Sequence, residues 1–590
     1  MGAIGIYLIG IVTLIAFYAA VTMVLNIEAG WGGLWDLGVA GLMGLGGYFY
    51  VIATLPTDDD YGSLALGWPH WAGVLGAGVF VALVALLIGT PALRLRGEYF
   101  LITTLAFAEV VRQLAINSEG ITRGTVGIAG VDRPFDSFVS PRGYTWVLLA
   151  MTVLAAVAVF FISRRIAGSP HGRLLRALRD NEPLALSLGK NVARQRIITF
   201  AFVGFMYGIL APLYVWYIRS ILPAMFASHL TFTAWTALVI GGIASLGGPA
   251  IGAAVLIAVT EALQFIPVSP EYATALSAFR WILLGAALIL VLRARPQGLI
   301  SEQRSMRAMG RSRKAAPLSI TPAMPKPGEV ISRRQGQPST LTITEVTKKF
   351  GGLTAVNNVS LTARQGHITA LIGPNGAGKT SLFNVITGFE TADRGSIKLD
   401  DVELAGLAPW QIAQRGVVRT FQTPVGFPKL TVQENLLTAG SSAASESLRA
   451  GLTGPRAWGR EQEEVAGKAA AITAELGLTV DQDELLENLS SGDMKLVEFS
   501  RQLMAEPAFL LLDEPASGVN PANLDRLVSL LRGLVEKGIG IVVIDHNLSF
   551  IMDVADHVYV LSNGAVLTDG PPQEISQDER VIDIYLGSRA

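Results

Sequence analysis

Eight consecutive residues in the second half of the chain have the types and spacing of a phosphate-binding loop: Gly373, Pro374, Asn375, Gly376, Ala377, Gly378, Lys379 and Thr380. They follow the apolar run 368–372 and precede a helix-like stretch that starts at Ser381, the strand-to-helix context of a P-loop. In such a loop, backbone N–H groups and the helix N-terminus hold phosphate oxygens. Lys379 then reaches the β- and γ-phosphates, and the Thr380 hydroxyl ligates Mg²⁺. Alone, this motif predicts nucleotide binding.

A second motif places two carboxylates after an apolar run. Residues 509–512 are apolar, which predicts a buried strand, and are followed by Asp513 and Glu514. Asp513 is suited to holding Mg²⁺, and Glu514 to polarising an attacking water. The alternative is a buried strand that merely ends in acidic residues.

Three further motifs complete an ordered set. Ser490 and Gly492 lie in the segment 489–493, and Gln422 follows Thr420 and Phe421. His546 comes shortly after the β-branched run 541–544, which predicts a strand. In this order, the motifs of residues 340–590 resemble the nucleotide-binding domain of ABC transporters. The resemblance predicts an ATP hydrolase with the α/β P-loop fold of that family.

The resemblance also implies roles for individual residues. Phe350 would stack on adenine, and Ser381 would lie beside the phosphates. Gln422 would sense the γ-phosphate, join Thr380 and Asp513 around Mg²⁺ and respond to the membrane domain, while His546 would contact the γ-phosphate beside Glu514. The loop 518–521 would face a second ATPase domain.

In this family, Ser490 and Gly492 complete the ATP site of the opposite domain, so the resemblance implies a second ATPase domain. Asp493 departs from the glutamine that is usual there. A carboxylate near a triphosphate repels it unless the carboxylate is turned away or neutralised. This departure raises a further hypothesis, an ATP-binding regulator with poor turnover, which the intact Lys379, Asp513, Glu514 and His546 oppose.

The first half of the chain has the composition of a membrane protein. The whole sequence of 590 residues is 51% hydrophobic and 16% charged, and residues 1–299 contain repeated apolar runs of about 20 residues. We expect an α-helical polytopic domain of about eight to nine spans, the first of them retained over 4–25. The further candidate spans are about 33–54, 71–90, 98–117, 143–163, 196–219, 231–247, 249–265 and 275–293. The segment around 247–249 marks either one broken helix or the boundary between two spans.

Charge and cysteine content exclude several functions. The net charge of −1, without a dense basic face, argues against a nucleic-acid partner. Zero cysteines exclude disulfides and thiol chemistry, and the six histidines lack metal-ligand spacing.

Basic residues orient the membrane domain. They crowd the loop 164–196, which we therefore expect to face the cytoplasm, opposite the acidic loop 58–60. Residues 300–339 are basic and proline-containing and contain no aromatic residue, as in a flexible linker between a permease domain (1–299) and an ATPase domain (340–590). This linker either contacts anionic lipid headgroups or is simply solvated.

Several segments of residues 90–300 resemble permeases of branched-chain amino acid type ABC importers. They include the stretch 93–112, the glycine-rich segment 241–252 and the closing segment 295–299. The N-terminal 90 residues match less clearly, with Trp31, Trp35 and Asp36 departing from the usual small and polar residues.

We expect the loop 170–190 to couple ATP hydrolysis to transport. We expect two short helices, the first carrying Arg173 and Arg176, the second starting at Glu182 and stopped by Gly189. They would fit a groove of the ATPase near Gln422. The alternative is an ordinary basic loop at the membrane surface.

Three charged residues lie in or beside apolar spans, where a charge is costly. Asp36, Glu109 and Arg112 either line a substrate path or stabilise the helix bundle, and we favour a Glu109–Arg112 pair on one helix.

The leading hypothesis is a fused permease and ATPase of an ABC importer in the bacterial inner membrane, with the ATPase in the cytoplasm. Family analogy implies a second permease, a second ATPase and a periplasmic substrate-binding protein. Branched-chain or other amino acids or related small polar solutes are the expected substrates. The alternative is a homodimeric ABC exporter half-transporter, which the number of spans and the short loops disfavour.

Overall fold

The computed structural model describes residues 3–56, 65–93, 97–262, 282, 285–286, 289–305, 338–422, 426–517 and 524–586. The chain forms two compact units. The first contains Met1–Arg179, Ala193–Ser319 and Glu446–Pro455, and the second contains Asp180–Val192, Ile320–Ser445 and Arg456–Ala590. A short segment of each half of the sequence is therefore built into the other half's unit. The predicted linker falls mainly on residues 306–337, and the acidic loop on 58–60, both outside the described residues.

The first unit is helical. Its helices are α1 (Ala3–Leu25), α2 (Val39–Thr54), α3 (His70–Ala92), α4 (Gly97–Asn117), α5 (Glu119–Thr122), α6 (Pro141–Ala167), α7 (Pro170–Asp180), α9 (Val192–Ile218), α10 (Ser228–Gly241) and α11 (Gly248–Ala262). A π-helical turn, Asn26–Trp31, continues α1, and two short strands, β1 (Ile128–Ala129) and β2 (Ser220–Ile221), pair antiparallel.

Six helices among the described residues are long and apolar enough to cross a membrane. They are Ile4–Trp31, His70–Ala92, Gly97–Asn117, Pro141–Ala167, Val192–Ile218 and Pro223–Gly241. Two shorter apolar helices, Val39–Thr54 and Gly248–Ala262, occupy the places of two further predicted spans. The segment 242–247 separates α10 from α11, so the sequence around 247–249 is a boundary between two helices. The last predicted span, 275–293, lies mostly outside the described residues.

The π-helical turn is tied to the loop that joins α10 and α11. Asn26 accepts a hydrogen bond from the Ala244 backbone N–H at 2.7 Å and donates one to the Ser245 carbonyl at 2.8 Å. The Trp31 indole donates to the Ala244 carbonyl at 2.8 Å. These buried bonds satisfy polar groups of irregular backbone inside an apolar bundle, where unpaired groups would be costly.

The two short helices predicted in the basic loop are α7 and α8 (Glu182–Ser187). Asn181 caps α8, because its side-chain oxygen accepts the Leu184 backbone N–H at 3.0 Å. Arg173 and Arg176 on α7 are buried, with 8% and 3% of their surface exposed. The predicted Glu109–Arg112 pair forms on α4, with the two nitrogens of Arg112 2.9 and 2.6 Å from the two carboxylate oxygens of Glu109.

The second unit is an α/β domain with two sheets. Its strands are β3 (Thr340–Phe350), β4 (Leu353–Arg364), β5 (Ile368–Ile372), β6 (Arg394–Leu399), β7 (Val402–Glu403), β8 (Val417–Arg419), β9 (Phe509–Asp513), β10 (Gly540–Ile544), β11 (His557–Ser562) and β12 (Ala565–Gly570). Its later helices are α12 (Lys379–Ile386), α13 (Pro409–Gln414), α14 (Val432–Gly440), α16 (Gly459–Glu475), α17 (Ser491–Met504), α18 (Leu524–Glu536), α19 (Leu548–Val554), α20 (Pro572–Ile575) and α21 (Glu579–Leu586). One further helix, α15 (Leu448–Thr453), belongs to the first unit.

The larger sheet positions the site. Its order is β12-β11-β5-β10-β9-β8, with all neighbours parallel except β12 and β11. Every residue of β5, β9 and β10 is buried, as expected for parallel strands covered on both faces. Ile544 of β10 pairs with Leu371 of β5 on one side and with Asp513 of β9 on the other. The motifs that follow these three strands therefore meet at one edge of the sheet, the edge where open α/β sheets bind ligands.

Candidate nucleotide site

The P-loop connects the buried strand β5 to α12, as the sequence predicts. Gly378 has φ of +95°, and a Cβ atom there would lie 2.1 Å from the Ala355 carbonyl oxygen. Only glycine fits both the backbone conformation and the space. Asn375, Gly376 and Thr380 are exposed, so the loop presents its backbone and the Thr380 hydroxyl to an incoming phosphate.

Lys379 folds back over the loop. Its ammonium group donates to the carbonyl oxygens of Gly373 at 2.7 Å and Pro374 at 2.9 Å. Partial burial lowers the pKa of Lys379, and the nearby Glu514 and Asp513 oppose this effect. The lysine is thus a cation held at the loop by carbonyls that phosphate oxygens can replace.

Asp513 is buried beside Arg419 at the end of β8. An Arg419 nitrogen lies 2.8 Å from Asp513 Oδ2, and the two side chains are 5% and 4% exposed. Burial raises the pKa of Asp513, while Arg419 opposes the rise. Arg419 also bonds Asn384 on α12 at 2.5 Å, so one guanidinium joins the acidic motif to the P-loop helix. The sequence motifs did not identify Arg419, and its place three residues before Gln422 was the available signal.

The three predicted catalytic residues converge. The Gln422 side-chain nitrogen donates to Glu514 Oε2 at 3.0 Å, and His546 Nδ1 lies 3.7 Å from the same oxygen. Glu514 has φ of +52°, an uncommon conformation for a non-glycine residue that often occurs at functional sites. The Glu514 N–H donates to the Ile544 carbonyl at 2.7 Å, which fixes this turn against β10. The arrangement can orient a water and accept its proton.

The segment around Ser490 caps α17. The Ser490 hydroxyl donates to Asp493 Oδ2 at 2.6 Å and accepts the Asp493 N–H at 3.2 Å. The carboxylate of Asp493 is therefore turned onto its own helix N-terminus, where negative charge is favourable. Gly492 is exposed at the same end of the helix. The predicted loop 518–521 lies outside the described residues.

Phe350, the predicted adenine contact, ends β3 and is 43% exposed. The ammonium group of Lys348 lies 5.0 Å from its ring centroid. A half-exposed ring with a cation over its face is available for stacking.

A buried carboxyl supports the segment before Gln422. Glu498 on α17 is 3% exposed, and its Oε1 lies 3.5 Å from the Phe421 backbone nitrogen. Burial raises the pKa of Glu498 to about 7, with Arg501 and Lys495 opposing the rise. Sequence motifs missed Glu498, because its contact with Phe421 joins residues that are 77 positions apart in the chain.

The segment Asp180–Val192 packs within the second unit. Gln414 of α13 donates to the Gly189 carbonyl at 2.8 Å, and Lys190 donates to the Ser441 carbonyl at 2.7 Å. Asp180 accepts the Lys429 backbone N–H at 3.2 Å. Of the predicted coupling residues, Glu182 and Gly189 thus belong to this unit, whereas Arg173 and Arg176 belong to the first.

Comparison with known families matches both halves of the chain. Residues 7–292 match the permease component of the branched-chain amino acid transport system. Residues 356–517 match the ABC transporter family, and residues 565–590 match the branched-chain amino acid ATP-binding cassette transporter family. The chain is therefore an ABC transporter protein that joins a permease and an ATPase.

Similarity to individual proteins narrows this class. The chain is 41% identical over 250 residues to the high-affinity branched-chain amino acid transport ATP-binding protein LivG of Salmonella typhimurium, covering 42% of this chain and 97% of LivG. It is 39% identical to BraF of Pseudomonas aeruginosa, over 42% of this chain and 97% of BraF. A probable LivG of Archaeoglobus fulgidus is 36% identical, over 41% of this chain and 94% of that protein.

The chain belongs to the branched-chain amino acid ABC transporter family. It is a membrane protein that binds nucleotide and couples ATP hydrolysis to transport.

Proposed function

We propose that this chain is an importer subunit that moves branched-chain or other amino acids or related small polar solutes across a bacterial inner membrane. The observation that carries the proposal is the convergence of Glu514, Gln422 and His546 in a chain whose other half matches a branched-chain amino acid permease. The names of the relatives support branched-chain amino acids as the first substrates to test.

In this proposal, residues 1–299 form a permease domain of about eight to nine spans, 300–339 a linker and 340–590 the ATPase domain. The two shorter apolar helices would supply two spans beyond six, and the predicted span 275–293 lies mostly outside the described residues. The ATPase domain would lie in the cytoplasm.

ATP with Mg²⁺ would bind at the P-loop edge. Thr380, Gln422 and Asp513 offer hydroxyl, amide and carboxylate oxygens, the ligands that Mg²⁺ prefers. Bound Mg²⁺ would neutralise phosphate charge. Glu514 would accept the proton of the attacking water, while Gln422 and His546 hold that water and the γ-phosphate. Phe350 would stack on adenine, and Ser490 and Gly492 would serve the site of a second ATPase.

The segment that contains α8 would transmit ATPase movement to the membrane helices. Its support is that Glu182 and Gly189 pack with the ATPase, while Arg173 and Arg176 on the adjoining α7 pack with the helical unit. Gly189 has φ of +78°, and a Cβ atom there would lie 3.1 Å from Gln414 Cγ. A side chain at position 189 would therefore strain the backbone. Substitution of Gly189 thus tests whether this segment couples ATP hydrolysis to transport.

The partners we propose are a second permease, a second ATPase and a periplasmic substrate-binding protein. The test is affinity purification of the tagged chain from native membranes, with partners identified by mass spectrometry and uptake measured in proteoliposomes. Recovery of these partners with ATP-dependent uptake would support import. A homodimer that lacks them and moves solute outward would instead establish an exporter half-transporter.

Gly189→Val tests, in the same proteoliposomes, whether the segment that contains α8 couples hydrolysis to transport. We expect ATP hydrolysis to persist without stimulation by substrate and binding protein, and uptake to be lost. Gly168→Ala is the matched control, because Gly168 ends a helix without positive φ and a Cβ atom there meets only the Arg164 carbonyl at 3.5 Å. Normal stimulation of ATP hydrolysis in Gly189→Val would show that this segment does not couple hydrolysis to transport.

A further inference from the structure

Two carboxylates lie fully buried in the helical unit. Glu28 belongs to the π-helical turn Asn26–Trp31, and Asp36 to the loop before α2, and neither has measurable exposure. The π-helical turn is a rare conformation that occurs frequently at functional sites. The family resemblance assigns no role to either residue.

Each carboxylate has one satisfied and one unsatisfied oxygen. Glu28 Oε1 accepts the Tyr207 hydroxyl at 3.2 Å, and Asp36 Oδ1 accepts the Gly38 backbone N–H at 2.6 Å. Glu28 Oε2 and Asp36 Oδ2 are buried and receive no hydrogen bond within the described part of the chain. The two carboxylates are near enough to act electrostatically on each other.

No cation balances this pair among the described residues. The titratable side chain that faces both carboxylates is Tyr207. Arg179 reaches the same turn, but its guanidinium donates to the Gly30 carbonyl at 2.6 Å and pairs with Glu302 at 3.1 Å. Two adjacent ionised carboxylates in an apolar interior would repel each other and would both lose hydration.

We propose that Glu28 and Asp36 form a proton-binding site that holds one shared proton. With that proton, one of the two unsatisfied oxygens becomes a hydroxyl donor and the other accepts its hydrogen bond. A single proton thus satisfies both oxygens and removes one of the two charges. The ligand is a proton, and its binding does not depend on the direction of transport or on the transported solute.

Infrared spectroscopy of the full chain in lipid tests this site. At neutral pH we expect a carboxylic acid C=O band that shifts in D₂O. It should disappear in Glu28→Gln and in Asp36→Asn, and it should shift without loss in Tyr207→Phe, which removes only the donor to Glu28 Oε1. All spectra are taken in a Glu498→Gln background, because the pKa of Glu498 is about 7 and its own acid band would overlap.

Glu109→Gln is the matched control, since Glu109 is half-exposed and pairs with Arg112. With Glu109→Gln added to the Glu498→Gln background, the carboxylic acid C=O bands should equal those of the Glu498→Gln background alone. Absence of any band that depends on Glu28 and Asp36 at neutral pH would overturn the proposal. If Na⁺ or K⁺ raised the melting temperature only when Glu28 is present, and no acid band were seen, the site would bind a metal cation and not a proton.

Thermal unfolding gives a second readout. A proton held by the native pair and released on unfolding makes the native state bind more protons, so stability falls as pH rises. In the same Glu498→Gln background, Glu28→Gln should flatten this fall across the neutral range, and Glu109→Gln should not. An unchanged slope in Glu28→Gln would contradict the shared proton.

Discussion

Two carboxylate pairs in this chain lie in opposite electrostatic surroundings. Asp513 and Glu514 are close to Arg419, Lys379, Gln422 and His546, so cations and donors compensate their charge. Glu28 and Asp36 meet the hydroxyl groups of Tyr207 and Thr104 and one backbone N–H, and each keeps an unsatisfied oxygen within the described residues. Neighbouring cations and hydrogen-bond donors therefore decide whether a buried carboxylate stays ionised or holds a proton.

The strongest test removes the negative charge of Glu514. Glu514→Gln should lower ATP hydrolysis by about 10²- to 10⁴-fold, the usual contribution of a general base, while nucleotide binding persists. Hydrolysis and binding of a fluorescent ATP analogue are measured on the purified complex. Glu464→Gln, which changes an exposed carboxylate on α16, is the control and should keep the normal rate. Equal rates in Glu514→Gln and wild type would remove Glu514 from catalysis.

The next test removes the cation from the ATPase pair. Arg419→Met leaves Asp513 buried without its partner and should destabilise the ATPase domain by about 3 to 5 kcal/mol. Chemical denaturation followed by tryptophan fluorescence measures the loss. Arg460→Met breaks an exposed pair, 94% and 65% accessible, and should change stability by no more than about 0.5 kcal/mol. Similar losses in the two variants would show that Arg419 does not balance Asp513.

Glu498 lies between the two cases, because it is buried but has basic neighbours. Its pKa is raised from 4.5 to about 7, so the native state holds a proton that the unfolded state releases within this window. Its stabilising contribution is therefore present below about pH 4.5 and is lost as pH rises to about 7. Melting temperatures of the chain with Glu498→Gln should depend less on pH between these values. A pH dependence equal to that of wild type would show that Glu498 does not titrate there.

The smallest effect is expected at Asp493. Asp493→Gln removes a carboxylate from the helix end that would face a triphosphate, but the carboxylate is already bonded to Ser490. We expect a lower apparent KM for ATP, by no more than a few-fold, and little change in kcat. Ser442→Ala, away from this helix end, is the control. A higher KM would show that the Ser490–Asp493 contact helps to form the composite site.

The strands that position the candidate ATP site could be predicted, because the motif residues are close in sequence to the ends of those strands. The run before Gly373, the run before Asp513 and the run before His546 each predicted a buried strand, and all three strands form one parallel sheet. Arg419 and Glu498 escaped prediction. The place of Arg419 near Gln422 was a signal, but only the fold shows that β8 and α17 bring the two residues to Asp513 and Phe421.

In the membrane half, hydrophobic length alone located α1, α3, α4, α6 and α9, because a span needs about 20 apolar residues. The same criterion misplaced the start of the span predicted at 33–54, where the helix begins at Val39 after an irregular segment. That segment is kept inside the bundle by contacts with distant residues, such as the bond from the Trp235 indole to the Asp36 carbonyl at 2.8 Å.

The sequence by itself determined the family, the two-part organisation and the nucleotide motifs, because phosphate binding and membrane insertion depend on short patterns of glycine, charge and apolar length. Only the tertiary structure decided which charges are compensated. Glu28 and Asp36 are eight residues apart, but among the described residues a group that contacts Glu28, the Tyr207 hydroxyl, lies 179 positions away in the chain. Electrostatic balance depends on distances in space, and a linear pattern does not contain those distances.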